Sequence, residues 1–190
     1  MERVLITGFP KLLARRMSLR LHAGGAQVSL LVDGKDERAA REFARGAMDV
    51  LIGDPSAMHL GLSTSEYREL TAAVTDVFHV AEQSALSSPR EEMRRVNLTG
   101  TQAMLELALD CRSLRRFTHV STVFVSGDRV GVVAEDELAC GQAFRNAYEE
   151  SKFEAELLVR RAMGQIPATV VRPSIVVGDT KTGEIDRFEG

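Results

Sequence analysis

The sequence contains no tryptophan, only two tyrosines and only two cysteines among its 190 residues. Cys111 and Cys140 are far apart and lie in no metal-ligand spacing, which indicates reduced thiols in a cytoplasmic protein. The four histidines are isolated from one another and form no zinc-binding pattern. We therefore expect neither a disulfide framework nor a metal centre.

Long apolar runs and blocks of like charge are also missing. No apolar run approaches the length of a membrane span. The net charge is -3, and the charged residues are interspersed, with no basic stripe that would indicate nucleic-acid binding. The opening MERVLITG reaches Gly8 too soon to be a signal peptide. These absences favour a cytoplasmic protein whose partner is a small molecule.

The sequence does contain a regular alternation of strand-like and helix-like segments. The strand-like runs begin with RVLITG and AQVSLLVD, and the last of about six is ATVVRPSIVVG. They are continuously apolar, as is typical of strands buried on both faces. The pattern predicts an α/β fold with a doubly wound, Rossmann-like parallel sheet, arranged as three α/β/α layers.

The domain organisation follows from the same pattern. We expect residues 1–178 to form one Rossmann-like domain. The polar ending GDTKTGEIDRFEG shows no packing pattern. It predicts that residues 179–190 begin a truncated C-terminal extension, with a substrate-binding subdomain missing from the chain.

The first strand-to-helix loop, TGFPKLLA, is the first place to look for a dinucleotide site. Gly8 would supply the tight turn, and Ala14 the small residue that lets helix and strand pack closely. Leu12 and Leu13 begin the helix, whose N-terminus would face the phosphates. Lys11 replaces the middle glycine. Its ammonium would either sit beside the pyrophosphate, or its side chain would crowd the site and weaken binding.

The second strand ends at Asp33. A carboxylate there accepts hydrogen bonds from an adenosine ribose and repels a 2′-phosphate, which favours NAD over NADP. The alternative is a solvated turn residue in the stretch DGKD. Lys35 and Arg38 lie close enough in sequence to weaken the preference.

Tyr148 and Lys152 are four residues apart and therefore share one helix face. A free phenol is a poor acid or base near neutrality, but an adjacent ammonium lowers its pKa. Such a phenol can exchange the proton of an alcohol while a hydride moves. Thr122 follows the fifth strand, and its hydroxyl would hold the substrate oxygen. A surface helix pair without a chemical role is the alternative.

With these motifs the chain resembles the extended branch of the short-chain dehydrogenase/reductase family. The motifs stand in the family's order: TGFPKLLA, Gly53-Asp54, DVFHVAE, VNLTGT, VSTVFVSG, Tyr148-x-x-x-Lys152 and VVRPSIVVG. The stretches LGLSTSEYREL and RPSIVVGDTKTGEIDRFEG are most similar to the thioester-reductase and male-sterility fatty-acyl-CoA-reductase group. Two residues depart from the family pattern, Lys11 at the second glycine and Glu82 where a second alanine is common.

The resemblance implies roles for individual residues. Tyr148 would be the catalytic acid or base, Lys152 its pKa-lowering partner and a ligand of the nicotinamide ribose, and Thr122 the holder of the substrate oxygen. The family also suggests a homodimer. The other cofactor-binding residues that it implies are Asp54 at the adenine, Val80 and Ala81 beside the ribose, Asn97 at the active-site helix, and Pro173 and Ile175 beside the nicotinamide.

The sequence thus favours an NAD(P)-dependent oxidoreductase, and the subgroup resemblance implies an acyl thioester or aldehyde substrate. Two alternatives remain open at this point. A nucleotide-sugar epimerase or dehydratase would use the same three side chains with transient hydride transfer. A non-catalytic nucleotide-binding module would have kept the fold and lost turnover; Lys11 favours this alternative and the intact trio opposes it.

Overall fold

The structure, a computed structural model, describes residues 2–176 and Gly183. Its strands are β1 (Arg3–Thr7), β2 (Gln27–Val32), β3 (Asp49–Ile52), β4 (Asp76–His79), β5 (Arg116–Val120) and β6 (Ala168–Val171). All neighbouring strands are parallel, and their order in the sheet is β3-β2-β1-β4-β5-β6. This is the doubly wound, Rossmann-like order that the sequence predicts.

Helices connect successive strands. They are α1 (Leu12–Ala23), α2 (Glu37–Ala44), α3 (Thr64–Ala73), α4 (Arg90–Arg94), α5 (Gly100–Asp110) and α6 (Ala147–Ala162). A π-helical turn at Arg95–Thr99 joins α4 to α5. Ser63 and Glu66 form a reciprocal capping box at the start of α3, as its sequence predicts.

Two apolar cores lie on opposite faces of the sheet, which confirms the three-layer arrangement. On one face, Ala14 of α1 and Ala40 of α2 are buried against Val28 and Leu30 of β2. On the other, α3, α5 and α6 cover the sheet through a second set of buried side chains: Leu70, Leu107 and Val159 from the helices, and Leu5, Val77 and Phe117 from the strands.

The sheet reverses its winding between β1 and β4, which are hydrogen-bonded neighbours with Thr7 opposite His79. A crevice forms at the carboxyl ends of strands at such a reversal, and ligands bind there. The loops that follow β1, β4, β5 and β6 all leave the sheet at this edge. These loops and the first turns of α1 and α6 carry most of the predicted site residues. Asp33 and Asp54 follow β2 and β3, and Asn97 lies in the π-helical turn.

Two further expectations concern the chain as a whole. Among residues 2–176, no helix combines the length and apolar character needed to cross a membrane. The predicted domain boundary at residue 178 and the extension over residues 179–190 lie outside the described residues, Gly183 excepted.

Candidate functional site

The loop after β1 and the loop after β4 are joined at the crevice. The Thr7 hydroxyl accepts hydrogen bonds from the backbone N–H groups of Val80 and Ala81, both at 3.1 Å. Gly8 has φ +96, and a Cβ there would lie 2.8 Å from the Ala81 nitrogen. Only glycine meets both requirements, and Gly8 therefore packs directly against the backbone of Val80 and Ala81.

His79 completes this connection. Thr101 donates its hydroxyl proton to the Asn97 carbonyl at 2.7 Å, so its oxygen accepts from Nε2–H of His79 at 3.0 Å. Nδ1 of His79 must then accept the Thr7 hydroxyl proton at 2.9 Å. Burial, followed by the charge of Lys152, lowers the pKa of His79 to about 3. His79 is therefore a neutral, satisfied core residue.

The N-terminus of α1 faces the crevice with its first turn open. Lys11 is the N-cap residue; no described side chain caps the helix, and its first turn holds no acidic residue. The N–H groups of Leu12 and Leu13 lie at this positive end of the helix, which suits an anionic phosphate. Together with Gly8, these residues fit the pyrophosphate of a dinucleotide.

The side chain of Lys11 extends from this loop to the loop that follows β4. Its ammonium donates to the Ser84 hydroxyl at 2.9 Å and lies 3.6 Å from Oε1 of Glu82. Neither partner was predicted as a site residue. In the sequence, Lys11 and Glu82 are visible only as two departures from the family pattern, one basic and one acidic. They lie more than seventy positions apart, so the sequence alone did not show that their side chains are in contact.

Asn97, in the π-helical turn, fixes the loop that carries Glu82 and Ser84. Its amide oxygen accepts from the Gln83 N–H at 2.7 Å, and its amide nitrogen donates to the Gln83 carbonyl at 3.0 Å and to Ser151 at 2.9 Å. Because these bonds engage both ends of a buried amide, Asn97 holds the loop and α6 together. Asn97 was predicted as a cofactor-binding residue, and in the structure its side chain positions the loop and α6.

Thr122, Tyr148 and Lys152 meet at the same edge. Asn146 caps α6 by accepting from the Glu149 N–H at 2.9 Å, and Tyr148 and Lys152 follow one turn apart. The buried ammonium of Lys152 donates to the Val120 carbonyl at 2.7 Å. Thr122 is also buried and accepts from the Phe124 N–H at 3.3 Å. The sequence placed these three side chains correctly at the end of β5 and the start of α6.

The carboxylate of Glu82 lies where the phenol and the ammonium converge. The Tyr148 hydroxyl donates to Oε2 of Glu82 at 3.1 Å, and Nζ of Lys152 lies 3.4 Å from the same oxygen. Glu82 is thus the functional candidate that sequence reasoning missed, although its departure from alanine was visible.

The electrostatics correct one prediction. Burial and then the Glu82 carboxylate raise the pKa of Tyr148, while a hydrogen bond from Thr122 opposes the rise. The expected lowering of the Tyr148 pKa by Lys152 is wrong for this structure, because burial raises that pKa and the Glu82 carboxylate adds negative charge beside the phenol. Burial lowers the pKa of Lys152, and Glu82 opposes that shift.

The residues predicted to meet the adenosine lie at the ends of β2 and β3. The exposed Asp33 accepts from the Lys35 N–H at 3.0 Å. Asp54 accepts from the Ser56 N–H at 2.8 Å and lies 3.0 Å from Nη1 of Arg95. Burial alone would raise the pKa of Asp54, but the bonds from Ser56 and Arg95 bring it below its ordinary value. Arg95 was not singled out by the sequence.

The loop after β6 lies beside the Thr122 turn. The Pro173 carbonyl accepts from the Val123 N–H at 3.1 Å, which connects the two loops. Ile175, two residues further along, is 70% exposed. Pro173 is therefore placed beside the Thr122 turn, and Ile175 is open to solvent. Over the described part of the chain, no group of acidic, histidine or cysteine side chains has the arrangement of a metal centre.

The sequence pattern of the male sterility protein family, an NAD-binding family, matches residues 25–190. The match covers all of the site except the first loop. The chain belongs to the male sterility protein family. This membership confirms the predicted place in the thioester-reductase group of the extended short-chain dehydrogenase/reductases.

Relatives of this male-sterility-type domain include named reductases. A carboxylic acid reductase of Segniliparus rugosus is 28% identical, and the alignment covers 96% of this chain and 18% of the relative. The fatty acyl-CoA reductase wat of Drosophila melanogaster is 26% identical and is matched over 77% of this chain and 34% of its own length. The chain therefore spans only a minor part of either relative.

A solved structure shows the same arrangement. The terminal R domain of the myxalamid PKS-NRPS biosynthetic pathway superimposes with a TM-score of 0.87 at 28% identity. The alignment covers 98% of this chain and 52% of that domain. The male-sterility-type domain thus has the fold of an NAD-binding family, and several of its homologues are named reductases.

Proposed function

We propose that the protein is an NAD(P)-dependent oxidoreductase that uses Thr122, Tyr148 and Lys152 to reduce an acyl thioester or an aldehyde. One observation carries the proposal. The hydroxyl of Tyr148 and the ammonium of Lys152 converge on a single oxygen atom, Oε2 of Glu82, at 3.1 and 3.4 Å. A substrate oxygen at this point would be within reach of both groups and of the Thr122 turn.

The crevice residues divide into those that hold the dinucleotide and those that handle the proton. When bound, the dinucleotide supplies a hydride for the substrate carbon. The phosphate end is assigned to the first loop and the adenosine end to the exits of β2 and β3. The proposed cofactor contacts are Gly8, Lys11, Leu12, Leu13, Asp33, Asp54, Val80, Ala81, Tyr148, Lys152, Pro173 and Ile175.

Tyr148 is proposed to donate its hydroxyl proton to the substrate oxygen as that oxygen becomes negative. The hydroxyl must first turn from Glu82 to the substrate. Thr122 would hold the same oxygen by a hydrogen bond. The positive charge of Lys152 would stabilise the phenolate that remains, and the Val120 carbonyl fixes its ammonium in place.

The names of the relatives support the substrate class. Carboxylic acid reductase and fatty acyl-CoA reductase act, by name, on acyl groups. The assignment of an acyl thioester or aldehyde to this protein is a proposal, because the chain covers little of either relative. A nucleotide-binding module without turnover is the second candidate, since Lys11 and Glu82 place charged side chains across the crevice.

The test compares the two tyrosines of the chain. Consumption of NADH or NADPH is followed with an acyl-CoA and with an aldehyde, and nucleotide binding is measured separately by calorimetry. Tyr148→Phe should lower the rate about a hundredfold to ten-thousandfold while nucleotide still binds. Tyr67→Phe is the matched control, because Tyr67 lies in α3 and donates to Asp110, away from the crevice. An undiminished rate in Tyr148→Phe would remove Tyr148 from the mechanism.

A further inference from the structure

Glu82 joins the two halves of the crevice. One carboxylate oxygen, Oε1, lies 3.6 Å from the ammonium of Lys11 on the phosphate side. The other, Oε2, contacts Lys152 and Tyr148 on the side of the proposed chemistry. The Glu82 side chain therefore crosses the crevice and links the start of α1 to the first turns of α6.

The contacts of Glu82 with Lys11, Tyr148 and Lys152 form a bridge, and other residues hold both the backbone beside Glu82 and the side chain of Lys11 in place. Asn97 fixes the backbone of Gln83, the residue next to Glu82, through both its N–H and its carbonyl. Ser84 accepts a hydrogen bond from the Lys11 ammonium at 2.9 Å and keeps that side chain across the crevice. The Glu82 carboxylate, 23% exposed, is partly shielded from water, so its charge acts strongly on its neighbours.

The charges explain why the bridge forms. Lys11 and Lys152 each carry a positive charge, and Glu82 supplies one negative charge between them. A dinucleotide brings a pyrophosphate with two negative charges to the same place. Glu82 would repel this anion and would occupy the cations that could otherwise bind it. The Glu82 carboxylate and the nucleotide would therefore compete for the same cations, Lys11 and Lys152.

We propose that Glu82 is an internal competitor for the nicotinamide dinucleotide, and that its bridge to Lys11, Tyr148 and Lys152 must open before the nucleotide binds. The inference rests on the proposed function. Opening frees Lys11 to contact the phosphates and turns the Tyr148 hydroxyl toward the substrate. Glu82 then sets how tightly the site binds nucleotide, and Lys11 changes partner from carboxylate to phosphate.

The first test measures the Kd of NADH and NADPH by calorimetry. Glu82→Gln removes the charge and keeps the size of the side chain, so binding should tighten about tenfold or more. Lys11→Met should weaken binding, and more strongly in the Glu82→Gln background, where Lys11 has no competing carboxylate. Glu150→Gln is the matched control, because Glu150 on α6 pairs with Arg90 outside the crevice. Equal or weaker binding by Glu82→Gln overturns the proposal.

The second test uses no nucleotide. Urea unfolding of Glu82→Gln, Lys11→Met and the double variant forms a double-mutant cycle. The double variant should lose less stability than the two single losses added together, because either substitution already removes the contact between Lys11 and Glu82. Strictly additive losses would show that this contact is absent in the free protein, and would overturn the proposal.

The two proposals fail in different ways. If nucleotide binds equally to the wild type and to Glu82→Gln while Tyr148→Phe abolishes turnover, the competitor proposal alone is wrong. If neither protein binds nucleotide although both are folded, the proposed function is wrong and the competitor proposal is wrong with it.

Discussion

The carboxylate of Glu156 is fully buried and lies 2.6 Å from Nη2 of Arg172. It also contacts Arg160 at 3.0 Å and accepts from the Ser121 hydroxyl at 2.7 Å. The two guanidinium groups donate in turn to backbone carbonyls of residues 135–137. This cluster therefore anchors the long loop between β5 and α6 to both elements, and the loop leads directly to Tyr148.

Replacing Arg172 by methionine should destabilise the protein strongly. Burial alone would raise the pKa of Glu156, and bonds from Arg172 and Ser121 bring it below its ordinary value. Without Arg172 the buried charge loses its best partner, and we expect a loss of about 3 kcal/mol in urea unfolding. Arg161→Met is the control, because Arg161 is exposed on α6, the helix that carries Glu156. A loss of stability as small as that of the control would show that the cluster contributes little to the free energy of unfolding.

The sequence predicted the fold well because strands and helices leave local signals. Continuous apolar runs gave all six strands, and the spacing of Tyr148 and Lys152 placed both side chains on one face of α6. The π-helical turn at Arg95–Thr99 left no such signal, since its composition is that of an ordinary helix. The Glu82 bridge was invisible for another reason. Its partners come from α1 and α6, and only the folded sheet brings them together.

The two histidines that pair across β4 and β5 should respond differently to replacement by leucine. His79 bonds to Thr7 and Thr101, so His79→Leu leaves the buried Thr7 hydroxyl proton without its acceptor and removes the donor to the Thr101 oxygen, which should cost about 1–3 kcal/mol. Both ring nitrogens of His119 are buried without a hydrogen-bond partner among the described residues. His119→Leu should therefore leave the free energy of unfolding unchanged or raise it. Equal losses in the two variants would contradict this difference.

The same histidines should make the protein sensitive to acid. Burial, followed by the charge of Lys152, lowers the pKa of His79 to about 3 and that of His119 well below its ordinary value of 6.5. Below pH 6.5 the unfolded chain binds protons that the folded chain does not. Their contribution is thus complete above pH 6.5 and is lost progressively as the pH falls below it. The free energy of unfolding, measured in urea between about pH 7 and 4 where free histidine titrates, should fall less steeply with decreasing pH in His119→Leu than in the wild type. An unchanged slope would show that His119 does not contribute to the acid sensitivity.

Asn97→Asp should loosen the loop that carries Glu82. The new carboxylate could still accept from the Gln83 N–H, but it would face the Gln83 carbonyl where the amide now donates. We expect faster hydrogen exchange at the backbone amide of Gln83 and a loss of about 1–3 kcal/mol in stability. Gln165→Glu, the same change from an amide to a carboxylate at an exposed site, is the control. Unchanged exchange at Gln83 would show that the loop is held by other contacts.

Asp33 offers a test of nucleotide preference. Its carboxylate is exposed at the end of β2, where a ribose 2′-phosphate would meet a like charge. Asp33→Ala should narrow any preference for NAD over NADP, measured as the ratio of their dissociation constants. Alanine also removes the hydrogen bond to the Lys35 N–H. Asp33→Ser separates the two effects, because serine can keep that bond without the charge. The ratio should shift equally in both variants if charge decides the preference. A shift in Asp33→Ala alone would attribute it to the turn, and no shift in either would remove Asp33 from the ribose site.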